Sequence, residues 1–126
     1  GRTALSWAAQ RGHNEIVKLL LTCAEVDVNA TDNGLRTPMV QATMNGHVEV
    51  VQQLLGAKGV DVNHVNSKDR DGVTPLAWAS KHGHIASVKQ LLTAKNIDVD
   101  CKDNSGSTPL AQAALNGHAE VVKLLI

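Results

Sequence analysis

The stretch DNSGSTPLAQAALNGHAEVVKLL, Asp103 to Leu125, holds one complete folding instruction. Thr108 followed by Pro109 reads as a helix N-cap and first helical residue, because the hydroxyl accepts from an orphan amide and proline has no N–H to lose. Leu110, Ala113 and Ala114 then recur at helical spacing, and Gly117 closes the helix through its access to a left-handed conformation. Working outward, the same pattern returns along the chain. Thr3, Thr37, Thr74 and Thr108 each stand nine residues before a Gly-His pair: Gly12-His13, Gly46-His47, Gly83-His84 and Gly117-His118. Asp27, Asp61 and Asp98, each inside a Val-Asp-Val or Ile-Asp-Val triplet, lie 24 residues after their threonines. The threonines are spaced by 34, 37 and 34 residues, so the chain is an internal repeat.

Each unit predicts two short helices and a turn-rich connection. The first runs from Thr to Gly. The second follows the histidine, with apolar stripes Ile16, Val17, Leu20, Leu21 and Val50, Val51, Leu54, Leu55 against polar Glu15, Lys18, Glu49, Gln52 and Lys89. From the Asp-Val-Asn region to the next threonine the chain is rich in Asn, Asp and Gly, which is hairpin chemistry. The 126 residues are 43% hydrophobic, enough to bury a continuous core and inconsistent with intrinsic disorder. Only 2% are aromatic, Trp7 and Trp78, so the core is expected to be Leu, Val, Ile and Ala in closely stacked helices.

The units from Asp103 to Leu125 and from Asp69 to His84 (DRDGVTPLAWASKHGH) resemble ankyrin repeats. The resemblance spans the chain and implies an all-α solenoid of helix-turn-helix units with projecting β-hairpins. It further implies a concave face of hairpins and first helices that binds other proteins. Four units are expected in one domain: 1–31 (partial), 32–68, 69–102 and 103–126 (partial). The family often has a histidine two residues after the Pro that ties helix to hairpin. Here Ser6, Val40, Ala77 and Ala111 stand there, and that tie is missing. Gly34 sits one position early, leaving Leu35 at the hairpin glycine's place, so the second hairpin is expected to turn differently. Three extra residues between Asn63 and Asp69 are expected to make His64, Val65, Asn66 and Ser67 bulge.

Charge and motifs exclude several functions. Twelve Lys and Arg balance twelve Asp and Glu, so no global field draws nucleic acid or anionic membrane, and neither is expected as a partner. The densest apolar run, Ile16 to Leu21, is short and carries Lys18, so no membrane span is expected. With no signal peptide opening the chain, an intracellular, cytoplasmic location is expected. Cys23 and Cys101 lack metal or disulfide-framework spacing. Four of the six histidines are the repeated turn residues, a repeat apart, roughly 10 Å by helix packing, while zinc ligands sit within about 2.1 Å of the metal. Ser67, Asp69, Asp71 and Gly72 resemble the start of a calcium loop, but Trp78 occupies its closing position and hairpin chemistry is the better reading. No metal, cofactor or catalytic group is expected, and the chain reads as non-enzymatic. Asn29 and Asn63 resemble ankyrin asparagines that are hydroxylated in some organisms; whether either is modified stays open.

A recognition surface is expected where the repeat does not dictate identity. Those positions are Arg2, Asn33, Arg36, Arg70, Val73, Asn104 and Ser107 in the hairpins and Arg11, Met44, Asn45, Lys81, His82, Leu115 and Asn116 at the first-helix ends. Trp78 joins them as an apolar contact, although both tryptophans read first as core filler. Arg2, Arg11, Arg36, Arg70 and Lys81 suggest a basic face for a protein partner presenting acidic groups; the alternative is plain solvation. Against a protein-binding module stand a structural spacer or assembly segment, with end-to-end self-association of truncated repeats, and a regulatory array of a larger multidomain protein.

Overall fold

The computed structural model describes residues 1–57 and 65–126. Among the described residues there are eight helices: α1 (Ala4–Arg11), α2 (Asn14–Leu21), α3 (Pro38–Met44), α4 (Val48–Leu55), α5 (Pro75–Lys81), α6 (Ile85–Leu92), α7 (Pro109–Leu115) and α8 (Ala119–Leu125). Each first helix starts as the threonines predict. Thr3, Thr37, Thr74 and Thr108 are extended, and their hydroxyls accept from the backbone N–H of Ser6, Val40, Ala77 and Ala111 at 3.1–3.2 Å. Each ends in the same crossed pair of bonds. His13, His47, His84 and His118 N–H donate to the carbonyls of Ala8, Ala42, Ala79 and Ala113, while the preceding glycine N–H reaches Ala9, Thr43, Ser80 or Ala114. That closure needs a left-handed residue, which Gly12, Gly46, Gly83 and Gly117 supply at φ 68° to 74°.

The helices form two layers. α1, α3, α5 and α7 pack in succession, as do α2, α4, α6 and α8, and each pair packs across. Leu5, Met39 and Leu76 occupy one register in the first layer and Val17, Val51 and Val88 one in the second, all at 0–1% exposure. Ala8, Ala9, Ala42, Ala79 and Ala113 let the first helices approach closely. Ile16 departs from the expected stripe: it is exposed, whereas its counterparts Val50, Ser87 and Val121 are buried against the preceding unit.

Among the described residues the connections at 32–36, 69–73 and 103–107 are turn loops with no strand assigned. Two expectations are corrected. First, the loop at 32–36 does not turn differently. Asp32, Asp69 and Asp103 N–H donate to Arg36, Val73 and Ser107 carbonyls, and Leu35, Gly72 and Gly106 N–H return to the three aspartates. Leu35 is forced into φ 62°, beside 77° and 84° for the two glycines, because the closure dictates the backbone and the side chain must follow. Second, Val65 does not bulge. Its apolar side chain turns into the core at 4% exposure, and Asn66 bonds across to Asn96 C=O (3.1 Å) and Asp98 N–H (2.8 Å). His64, like Asp61 and Asn63, lies outside the described residues.

Candidate partner-binding face

The repeated Gly-His pair is a latch between units. His47 Nε2–H donates to Gln10 C=O (2.9 Å), His84 to Met44 C=O (3.2 Å) and His118 to Lys81 C=O (2.9 Å). Because a carbonyl only accepts, the proton sits on Nε2 in each ring. Each ring lies over the glycine of the preceding unit, where a Cβ would fall 2.5 Å (Gly12), 2.8 Å (Gly46) or 2.5 Å (Gly83) from ring atoms. The histidines therefore hold adjacent first helices in register. No group of three His, Cys, Asp or Glu among the described residues is arranged to hold a metal ion. Cys23 and Cys101 are free thiols.

The loops are fixed from within by their aspartates. Asp32 Oδ1 accepts from Gly34 and Arg36 N–H and Oδ2 from Gln41 Nε2 (2.9 Å). Asp69 Oδ1 takes Asp71 and Val73 N–H, and its Oδ2 takes Trp78 Nε1–H (2.8 Å). Asp103 takes Ser105 and Ser107 N–H, Ser105 Oγ (2.6 Å) and Gln112 Nε2 (3.0 Å). The fourth residue after each of these threonines thus ties helix to loop, in place of the missing histidine. Burial opposes ionisation of Asp32, but the Arg36 and Gly34 amides, Gln41 and the Arg36 charge outweigh it and hold the carboxyl below its usual range. Asp103 is also lowered, chiefly by the Ser105 hydroxyl; burial opposes this, and the Ser107 amide and Gln112 assist.

This tie corrects the reading of the tryptophans as core. An indole N–H needs an acceptor, and the loop aspartate draws Trp78 out to the face, where it is part-exposed. His82 stacks on it, 5.5 Å between centroids and 5° between planes, and Lys81 Nζ lies 5.1 Å from its centroid. Burial and the charges of His84, Lys81 and His118 push the His82 pKa down. Trp7 is 48% exposed, with the Arg2 guanidinium 3.9 Å over its ring.

The remaining candidates divide between scaffold and free surface. Arg70 N–H donates to Gly34 C=O (2.8 Å) and its Nη2 to Asn33 C=O; Asn104 N–H donates to Asp71 C=O (3.0 Å) and its Nδ2 to Arg70 C=O (3.1 Å). Asn33 Oδ1 accepts from the Gly1 ammonium. Asn45 and Asn116 amides donate to Gln41 and Gln112 carbonyls, closing α3 and α7. Arg2 Nε lies 4.0 Å from Asp32. Arg11 and Leu115 stand exposed, Leu115 at 81%; Met44, Arg36 and Ser107 are half-buried. Val73, Trp78, Lys81 and Asn104 come together around one cleft of about 340 Å³ between the third and fourth units. Asp71, Asp103, Ser105 and Gln112 complete it.

Residues 1–66 and 59–126 each match the family model for ankyrin repeats (3 copies). The chain belongs to the ankyrin repeat family, whose members are generally protein–protein interaction modules and typically not enzymes. A search of curated proteins finds no match. No helix among the described residues is long and apolar enough to cross a membrane.

Proposed function

We propose that this chain is a non-enzymatic protein-binding module, organised as units 1–31, 32–68, 69–102 and 103–126, and that it holds its partner on the loops and first-helix ends. One observation carries the reading: three loops of different surface sequence share one backbone, each closed by an aspartate and bonded to its neighbour. A surface so fixed loses little freedom on binding. Arg11, Arg36 and Arg70 receive carboxylates there, since a guanidinium fork matches them bidentately, with Met44 and Leu115 adding apolar contact. The test uses a partner recovered by pull-down and titrated against two variants of equal charge change. Arg36→Glu with Arg70→Glu should weaken binding and flatten its salt dependence; Lys18→Glu with Lys89→Glu, on exposed positions of α2 and α6, should do little. The reverse result places the surface elsewhere.

A further inference from the structure

The face changes sign across one loop tip. Arg70 and Asp71 are neighbours whose carbonyls both accept from Asn104, yet the Arg70 guanidinium donates back to Asn33 C=O while Asp71 lines the cleft on the other side. Arg2, Arg36 and Arg70 gather about the first two loops, with Asp32 and the buried Asp69 among them. The cleft instead holds Asp71 and Asp103 against the single cation Lys81.

Most polar groups of the cleft are already engaged. Asp103 is saturated by Ser105, Ser107 and Gln112, Asn104 bonds to Arg70, and Trp78 bonds to Asp69. Lys81 rests over the indole. The exposed Asp71 carboxylate, by contrast, accepts no hydrogen bond; only its backbone N–H and C=O are used. An anion entering here would approach two carboxylates to reach one ammonium. A cation would find a free acceptor, with Val73 and Trp78 to cover an aliphatic stem.

We infer that the cleft between loops 69–73 and 103–107 receives a basic side chain, from a partner segment whose acidic residues lie over the first two loops. The inference rests on the binding face proposed above and gives it a direction: acidic groups toward the N-terminal units, an arginine or lysine toward the C-terminal ones. Lys81 competes with the incoming cation, so this residue acts against binding in the cleft.

The test is a two-dimensional amide NMR titration of the whole chain with three blocked tripeptides, acetyl-Gly-Arg-Gly-amide and its citrulline and glutamate counterparts. The arginine probe should move the Trp78 indole N–H and the Ser105 amide saturably, and the citrulline probe should not. Asp71→Asn keeps the backbone bonds and should weaken the arginine probe roughly three- to fivefold, the scale of one part-exposed ion pair. Lys81→Gln should tighten it. Unchanged binding in Asp71→Asn overturns the inference, as does a glutamate probe that moves the same signals and is lost in Lys81→Gln. The broader reading is tested apart from this: a glutamate probe moving only Arg36 and Arg70 signals preserves the binding face while an unresponsive cleft rejects its direction. If no probe moves any signal on the face, both fall.

Discussion

Replacing Gly83 and Gly117 separately by alanine isolates the energy of the latch. Both glycines are left-handed, at φ 68° and 74°, so each substitution carries about the same backbone cost, roughly 1–2 kcal/mol. Loss of glycine's freedom in the unfolded chain returns about 0.4–1 kcal/mol of that in both. What differs is the neighbour. A Cβ on Gly83 falls 2.5 Å from the His118 ring, whereas one on Gly117 meets nothing within 4 Å. Gly83→Ala must therefore push the ring aside, losing the Nε2–H bond to Lys81 C=O, about 1 kcal/mol, and the contacts of a half-buried ring, of similar size. Gly117→Ala should cost about 1 kcal/mol or less and Gly83→Ala about 3 kcal/mol, read from urea unfolding followed by circular dichroism at pH 7.5. In a His118→Ala background the two should converge, because the coupling is pairwise. Equal costs in the wild-type background would refute the argument, showing that the ring yields freely and that the repeated Gly-His pair serves each turn alone.

Leu35→Gly should stabilise the chain by up to about 1 kcal/mol, since left-handed strain is relieved and only a half-exposed side chain is lost, while Leu35→Val should destabilise it; calorimetry decides, and the opposite order would contradict the strain. Asp32 and Asp103 titrate below the usual carboxylate range, so the unfolded chain binds protons first; their contribution is present above about pH 4 and is lost as pH falls through the folded values. Asp103→Asn should accordingly flatten the acid limb of a curve of urea midpoint against pH. The lowered His82 has the same sign in another window: stability declines as pH falls from about 6.5, and His82→Asn should remove that step. Hydrogen exchange should be slowest in α4 and α6, which have second-layer neighbours on both sides and hold Val51, Leu54, Val88 and Leu91 at 0% exposure; equal protection of α2 and α8 would argue against stacking as the source of stability.

The fold was legible because its signals are local and repeated. A threonine cap and a closing glycine recur in every unit, with a proline at the first helical position in all but the first, where Ala4 stands, so the eight helices fall where the spacing places them. Misreadings arose where a contact, and not the residue's own preference, decides the outcome. Leu35 looked like a changed turn, because residue preference alone argues against a left-handed leucine; the two backbone bonds across the loop outweigh that preference. Trp78 looked like core because indoles are large and apolar, yet the residue nine positions earlier, Asp69, supplies the acceptor that draws it to the surface. The spacing itself carried the clue, since Asp32 and Gln41, Asp69 and Trp78, and Asp103 and Gln112 all repeat it. Charge was hardest to place. Counting Arg36, Arg70 and Lys81 together suggests one basic face; the structure adds that the Arg70 guanidinium donates back to Asn33 C=O while Asp71 lines the cleft with Lys81. Sequence order does not reveal those placements, because neighbouring loops more than thirty residues away supply the contacts. For a repeat array the pattern thus gives the scaffold, while the field a partner meets depends on contacts between units.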